Sequence, residues 1–166
     1  PPHAGDETLR VIDARNAFLM DSMMQDVVRY GTAASAMKLG RRDLAGKTGT
    51  TNDFVDGWFC GYQPDLVGVA WMGFDAPRTL GKNQTGGRIA LPIWIDYMAK
   101  ALKGVPEVQR MVPEGVVAAK SDSDPAAPPE ARTGSEFFYR EFAPMKEDPP
   151  AAAPVVPQER PERPTF

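Results

Sequence analysis

The sequence predicts an α/β fold, of the α+β kind, in which helices pack on an antiparallel sheet. Three short β-rich stretches follow one another closely, at 45–51, 54–62 and 66–74. Two stretches with helical periodicity stand before and after them, at 13–30 and 88–103. Parallel strands need a long crossover between them, whereas closely spaced strands pair in opposite directions. We therefore expect an antiparallel meander flanked by helices.

The first helix is predicted from an N-cap and an apolar stripe. Asp13 is a suitable N-cap residue, and Gly31 ends the periodic pattern. Its apolar face is expected to consist of residues at helical spacing, namely Ala17, Met20, Met24 and Val27. Its solvent-exposed face is expected to carry Arg15, Asp21, Gln25 and Arg29. Residues 32–39 are predicted to form a second short helix, which Gly40 closes.

The later elements are predicted from a proline turn and a second apolar stripe. Pro64 and Asp65 predict a turn between the second and third strands, because proline presets a turn and cannot continue a central strand. In the last helix Pro92 is tolerable only in the first turn. The stripe of that helix is expected to contain Ile89, Ile93, Tyr97 and Ala101.

Composition divides the 166 residues into two regions. Residues 1–104 are mixed and globular in character, so we expect them to form a folded unit. Residues 105–166 hold most of the 17 prolines and are biased toward alanine. We expect them to form a largely disordered extension with an aromatic segment at 136–142. A core drawn from about 100 residues is marginal on its own.

Charge and rare residues exclude several function classes. The net charge of −3 and the pI near 5.2 give no basic footprint for nucleic acid. Cys60 is the single cysteine and His3 the single histidine, so the sequence predicts no disulfide, no metal site and no cofactor. The longest apolar run is less than half of a membrane span. The chain opens with Pro1-Pro2 and shows no signal peptide, which predicts an internal piece of a longer protein.

The most informative motif is a lysine-threonine-glycine triplet in the first strand. Lys47, Thr48 and Gly49 are followed by two more threonines, Thr50 and Thr51. Such a strand presents a positive charge, hydroxyl groups and a bare backbone edge to one ligand. That combination suits a peptide that ends in a carboxylate. A bare triplet also occurs by chance, as a strand with a solvated lysine, so the interpretation depends on the surrounding residues.

The order of the motifs around the triplet carries a family resemblance. In sequence, the motifs are K-T-G-T-T at 47–51, D-G-W-F at 56–59, A-W-M-G at 70–73 and T-G-G-R at 85–88. From residue 12 to residue 104 this order resembles the C-terminal part of the transpeptidase domain of class A penicillin-binding proteins. The later E-F-F-Y stretch is similar to the C-terminal extensions of proteobacterial members, of type 1A.

The resemblance implies a β-lactamase/transpeptidase-like fold of which only the C-terminal portion is present. The family carries S-x-x-K, S-x-N and K-T-G elements, and only the third is expected here. Lys47 would then stand beside the absent serines, and the hydroxyls of Thr48 and Thr50 would bind the carboxylate. Gly49 would let substrate approach, and the Thr50 N–H would be an oxyanion donor. Thr51 either extends this site or serves only the strand.

The resemblance also implies what the whole protein does. Its parent would be a bifunctional cell-wall synthase that cross-links D-Ala-D-Ala stem peptides through a serine acyl-enzyme and is acylated by β-lactams. The partners would be stem peptides, lipid II-derived glycan, β-lactams and the upstream polypeptide, with cell-wall synthesis regulators or a homodimer also open. The location would be the periplasmic side of the inner membrane, reached through an N-terminal anchor outside this segment. The isolated segment is expected to be inactive and poorly folded.

Two motif matches compete with this interpretation. Ser35 and Lys38 match S-x-x-K, but they stand just before the triplet with no S-x-N between them. Serine and lysine three apart on a helix often meet by chance. Lys47 and Thr48 also match the end of a P-loop, but Arg41 occupies the position of its first glycine. We therefore expect neither a serine nucleophile at Ser35 nor a nucleotide site.

Two other functions stay open. A serine β-lactamase shares the fold but normally ends soon after its last helix, so the long extension argues against it. A non-catalytic interaction module of a cell-wall synthase would use the aromatic segment at 136–142 and the proline-rich tail. In that segment, Phe137, Phe138 and Tyr139 would form either a docking patch or a strand that folds back on the domain.

Overall fold

The computed structural model describes residues 11–120 and 135–144. The elements in chain order are α1 (Ala14–Arg29), β1 (Ala45–Thr50), β2 (Gly57–Gln63), β3 (Leu66–Met72), α2 (Gly86–Ala101), β4 (Val116–Lys120) and β5 (Ser135–Tyr139). Within these residues, no helix has the length and apolar character that crossing a membrane requires. The expected α/β architecture, with helices on an antiparallel sheet, is confirmed.

The first three strands form the predicted antiparallel meander in the order β1-β2-β3. The turn at Pro64 joins β2 to β3. β2 begins at Gly57, three residues later than expected, because Asn52–Phe54 form a short 3-10 turn. In that turn Asp53 and Phe54 have φ values of 56° and 55°, which a strand does not accept.

Helix α1 has the predicted N-cap but a different buried face. The Asp13 carboxylate accepts a hydrogen bond from the Arg15 N–H at 2.8 Å. The expected apolar face is wrong in part: Val27 packs against the core, but Met20 is 45% exposed, and the buried residues are Gln25 and Val28. Gln25 was expected on the solvent-exposed face. Its amide is satisfied on the helix itself by Asp21 and Arg29, which removes the main penalty of burying it.

Helix α2 also differs from its predicted stripe and start. It begins at Gly86, so Pro92 is its seventh residue and lies beyond the first turn, on the exposed side. Ile93 and Tyr97 are 45% and 53% exposed. The face that packs on the sheet consists of Ala90, Leu91, Trp94 and Met98. The expected stripe therefore lies beside the packed face rather than on it.

The position of Trp94 explains which face of α2 is chosen. A Cβ atom at Gly61 would lie 2.7 Å from the Trp94 ring, and one at Gly68 would lie 3.0 Å from it. The indole N–H donates to the carbonyls of Gly61 and Gly68 at 3.3 and 3.1 Å. Phe59 meets the same ring edge to face at 4.9 Å. The two strand glycines thus form the space that the tryptophan fills.

Residues after Gly104 contact the folded unit through charged groups. Arg41 binds the Asp43 carboxylate through two nitrogens, at 2.9 and 2.6 Å, and donates to the carbonyl of Val105. Asp43 also accepts the Val108 N–H at 3.2 Å. Arg110 forms an ion pair with Asp21 of α1 at 2.5 Å. The domain boundary expected at 104 stays a prediction, but these contacts continue past it.

The aromatic segment forms strand β5, which pairs antiparallel with β4. It folds back on α1. Of the two alternatives, a docking patch and a strand that folds back on the domain, the second is therefore the one observed. Phe137 meets Phe18 of α1 edge to face at 4.9 Å. Arg15 lies over the Tyr139 ring at 4.7 Å and pairs with Glu141 at 2.9 Å. The largely disordered extension expected at 105–166 stays a prediction. Its described residues include β4 and β5, and residues 121–134 and 145–166 lie outside the described residues.

Asp43 supports a prediction on stability. Burial raises its pKa, but the hydrogen bonds from Arg41 and the Val108 N–H outweigh burial and hold the pKa below 3.8. Since the folded pKa is lowered, its stabilising contribution is present above pH 3.8 and is lost as pH falls through the folded pKa. Asp43→Asn leaves a buried guanidinium without its counter-charge, so we expect a loss of about 3 kcal/mol at neutral pH.

Urea unfolding of the polypeptide that carries this segment measures that loss. The exposed Asp96 on α2 provides the matched control, since Asp96→Asn should change the free energy of unfolding by less than about 0.5 kcal/mol. Equal effects of the two substitutions would contradict a structural role for the Arg41–Asp43 pair.

Candidate functional site

The predicted site residues 47–50 lie on β1, at the edge of the three-stranded sheet, and Thr51 follows the last residue of that strand. Lys47 stands opposite Cys60 and Gly49 opposite Trp58. Since successive side chains alternate in a strand, Lys47 and Gly49 share one face, and Thr48 and Thr50 share the other. The threonine face is the one that α2 covers. The lysine side chain and the threonine side chains lie on opposite faces, so they can meet only at the edge of β1.

The hydrogen-bond phase of β1 determines which backbone groups lie free at this edge. The Thr51 N–H donates to the Asp56 carbonyl at 3.1 Å, at the next position of the β1–β2 register. In an antiparallel pair, bonded and non-bonded positions alternate. The amides of Gly49 and Lys47 therefore face β2, whereas those of Thr48 and Thr50 point to the open edge. No other strand among the described residues pairs there.

The Lys47 side chain reaches around to the same edge. Its Nζ donates to the Thr48 carbonyl at 3.0 Å and lies 3.5 Å from the Thr48 hydroxyl oxygen. By the alternation above, that carbonyl also points away from β2. Ammonium, hydroxyl and backbone groups thus meet along a single strand edge. The ammonium, the Thr48 hydroxyl and the outward N–H groups can all donate to an anionic ligand there, so the arrangement suits a carboxylate.

Thr48 has a partner that the sequence analysis did not identify. The hydroxyl oxygen of Thr32 lies 2.8 Å from that of Thr48. Thr32 lies shortly after the end of α1 at Arg29 and stands 16 residues before Thr48 in the chain. The residues around Thr32 read Y-G-T at 30–32, and this stretch carries no local pattern that predicts the contact. A contact between two distant hydroxyls leaves no periodicity to read.

Thr50 is held from behind by the first residue of α2. The Gly86 N–H donates to the Thr50 hydroxyl at 3.0 Å. A Cβ atom at Gly86 would lie 2.2 Å from the carbonyl oxygens of both Gly49 and Trp58. The helix thus begins in direct contact with the backbone of β1 and β2. Its amino-terminal end also brings the positive end of the helix dipole toward the site.

Thr51 has its hydroxyl in a turn rather than at the open edge. That oxygen accepts the Asp56 N–H at 2.8 Å. The Asp56 carboxylate accepts the Trp71 indole N–H at 2.9 Å. Asp53 lies in the turn at Asn52–Phe54, and Asp56 stands directly before β2. A substrate-binding role of Thr51 stays a prediction, and the observed contacts are those of a turn.

The lysine face of the sheet is open in the described residues. Trp58 and Trp71 are 40% and 43% exposed, and their rings lie 6.0 Å apart. Cys60 is also exposed. Within the part of the chain that the structure describes, β2 and β3 are covered on the α2 side only.

The rival motifs do not form their sites. Ser35 and Lys38 lie in the 3-10 segment Ala34–Leu39, both exposed. Gly46 and Lys47 lie inside a strand instead of in a loop between strand and helix, so a P-loop is absent from this position. Among the described residues, no cluster of metal-ligating side chains occurs. A cavity of about 520 Å³ lies between α1 and residues 107–112, away from the edge of β1.

Comparisons with known proteins give a consistent assignment. The family described as "Penicillin binding protein transpeptidase domain" matches residues 5–98. The chain is 46% identical to penicillin-binding protein 1A of Pseudomonas aeruginosa over 155 residues, which is 93% of this chain and 19% of that protein. It is 52% identical to penicillin-binding protein 1A of Neisseria lactamica over 122 residues, or 74% of this chain and 15% of that protein.

A solved structure shows the same fold. The crystal structure of penicillin-binding protein 1A from Haemophilus influenzae superposes with a TM-score of 0.71 at 30% identity, covering 82% of this chain and 22% of that chain. The chain therefore spans about a fifth of the length of the relatives it matches. The resemblance to proteobacterial type 1A members is confirmed.

The contact at Gly86 supports a prediction. Gly86→Ala would force a methyl group into the backbone of both strands, so we expect the free energy of unfolding to fall by about 3 kcal/mol or more. Gly104 is the control, because it has a φ of 79° but no atom within 4 Å of its Cβ position. Gly104→Ala should cost only the backbone strain, about 1 kcal/mol. Thermal unfolding that ranks the two variants the other way would contradict the contact.

Proposed function

This chain belongs to the penicillin-binding protein transpeptidase family, and we propose that it supplies the substrate-binding strand of a peptidoglycan D,D-transpeptidase. One observation carries the proposal. The Lys47 ammonium, the Thr48 hydroxyl and the outward amide of Thr50 meet along the open edge of β1. A peptide that ends in a carboxylate can lie along that edge as an added strand.

The proposed chemistry assigns a different task to each group. The Thr50 N–H donates to the oxyanion that forms when a serine attacks the substrate carbonyl. The second donor is the backbone N–H of that serine, upstream of this segment. Removing one such donor typically lowers the rate about 10²–10³-fold. Lys47 adds a positive charge beside the reacting groups, and the hydroxyls of Thr48 and Thr50 address the terminal carboxylate.

The proposed reaction follows from an acyl-enzyme on the upstream serine. The serine attacks the D-Ala-D-Ala amide, the terminal D-alanine leaves, and the acyl group passes to an amine of a neighbouring strand. A β-lactam acylates the same serine. The whole protein would also carry a glycosyltransferase, act on lipid II-derived glycan, and lie at the periplasmic side of the inner membrane through an upstream anchor.

The sheet has an unpaired edge strand and an exposed apolar face among the described residues. Both features support the proposal that upstream polypeptide packs on it. β3 is the other edge of the sheet in the described residues, and an exposed apolar edge is a site of pairing or aggregation. The adjoining face carries exposed apolar side chains, namely Trp58, Val67, Val69 and Trp71. We therefore propose that the segment is stable and active only together with the upstream half of its domain. The upstream half and this segment together are called the full domain below.

The two alternatives gain no support from the contacts observed. The aromatic segment is occupied by α1 through Phe18 and Arg15, so its exposed surface for a separate partner is reduced. A hydrolytic β-lactamase would need a water-activating group for deacylation. Nothing at the open edge of β1 distinguishes that chemistry from transfer to an amine, and the relatives matched are penicillin-binding proteins.

Acylation of the full domain by a β-lactam, followed by intact mass and peptide mapping, tests the proposal. We expect one adduct per chain on a serine upstream of this segment and none on Ser35. Lys47→Ala should abolish the adduct, whereas Lys82→Ala, at an exposed loop lysine, should leave it unchanged. An adduct on Ser35 would contradict the assignment of the motif.

The backbone role of Thr50 is tested by a matched pair. Thr50→Pro removes the outward N–H without removing a bond to β2, which an edge strand tolerates, so we expect acylation to fall about 100-fold or more. Thr50→Val keeps the N–H and removes the hydroxyl, so the loss should be much smaller. Equal losses in the two variants would show that the amide is not an oxyanion donor.

A further inference from the structure

We infer that Thr32 is a positioning residue of this site, whose hydroxyl orients that of Thr48 toward the carboxylate of the ligand. The inference rests on the proposed function and extends it to a residue outside the K-T-G strand. The Thr32 hydroxyl oxygen lies 2.8 Å from that of Thr48. In this inference Thr32 acts through Thr48 and does not itself contact the reacting atoms. Its effect would pass entirely through the direction of one hydroxyl proton.

The backbone around Thr32 is fixed on both sides. The Gly31 N–H donates to the carbonyls of Asp26 and Val27 at 3.1 Å, and the Ala33 N–H donates to that of Val27 at 3.1 Å. Ala33 is fully buried in the core. Thr32 is thus held between the end of α1 and the core. The backbone of Thr32 therefore has a fixed place, and the 2.8 Å contact with Thr48 defines the direction of its exposed hydroxyl.

Helix α2 closes the same junction from the other side. A Cβ atom at Gly87 would lie 3.0 Å from the Thr32 carbonyl oxygen and 3.5 Å from the Thr48 methyl carbon. The first turn of α2 therefore packs on both threonines at once. The neighbouring Gly86 N–H binds Thr50. The same helix end thereby supports both hydroxyls of the K-T-G-T strand.

Proton counting shows what Thr32 does for Thr48. A hydroxyl has one proton and two acceptor positions, and an ammonium can only donate. Lys47 Nζ approaches the Thr48 oxygen at 3.5 Å as one donor. When Thr32 donates as the second, both acceptor positions of Thr48 are filled. The Thr48 proton then has one remaining direction, the open edge, where a carboxylate accepts it.

The opposite direction of donation would defeat binding. If Thr48 gives its proton to Thr32, its oxygen faces the ligand with lone pairs only. A carboxylate, which also only accepts, would then be repelled. An incoming carboxylate therefore selects the arrangement in which Thr32 donates. Without the Thr32 hydroxyl, the Thr48 hydroxyl rotates freely. Ligand binding must then orient the Thr48 hydroxyl, which weakens binding of the carboxylate.

The test uses second-order acylation rate constants of the full domain with a penicillin and with its methyl ester. Thr32→Val removes the hydroxyl and keeps the shape, and Thr32→Ser restores the hydroxyl. We expect Thr32→Val to slow acylation by the free acid about 3- to 10-fold, the value of one hydrogen bond. Thr32→Ser should lie within about 2-fold of the unchanged protein. Neither substitution should change the rate with the ester.

Each outcome separates the possible explanations. The control is Thr85→Val, because Thr85 precedes α2 without a capping hydrogen bond from its side chain, and this variant should react normally. Equal slowing of acid and ester by Thr32→Val, or a Thr32→Ser variant as slow as Thr32→Val, would overturn the inference in favour of a structural role. No change with Thr32→Val would also overturn it. Absence of acylation in the unchanged protein would instead refute the proposed function.

Discussion

The open edge of β1 depends on the contact between α2 and the backbone of the first two strands. An edge that binds a substrate must keep its outward N–H and C=O groups unpaired and yet rigid, although unpaired edges are normally mobile or prone to aggregate. Gly86 resolves this conflict because a residue without a side chain lets the helix end lie directly on the Gly49–Trp58 backbone pair. The strand is thereby supported from behind, and its edge stays free.

The same principle places the rest of α2. Gly61 and Gly68 leave the space in which Trp94 lies, and their carbonyls satisfy its indole N–H. The helix is therefore fixed on the sheet at its start by Gly86 and at its middle by Trp94. Small residues in the strands and one large residue in the helix set the distance between the two layers. That distance in turn determines where the helix end meets Thr50.

Sequence reasoning predicted the strands, the turn at Pro64 and the N-cap Asp13, because these depend on local preferences. It was wrong in part about the buried face of α1 and wrong about that of α2, since periodicity gives several candidate stripes and only the sheet selects one. Gln25 is buried although polar, because Asp21 and Arg29 satisfy its amide. The Thr32–Thr48 contact and the strand pairing of residues 116–120 join distant positions of the chain, which leave no local pattern.

A crystal structure of the penicillin-acylated full domain tests the central claim most directly. The claim is that the outward amide of β1 is the oxyanion donor and that the ligand carboxylate lies beside Lys47 and Thr48. We predict an acyl carbonyl oxygen about 2.7–3.1 Å from the Thr50 nitrogen, with the carboxylate at the Thr48 hydroxyl. An acyl group whose carbonyl oxygen is bound elsewhere, or a Thr50 N–H that pairs with β2, would contradict the account.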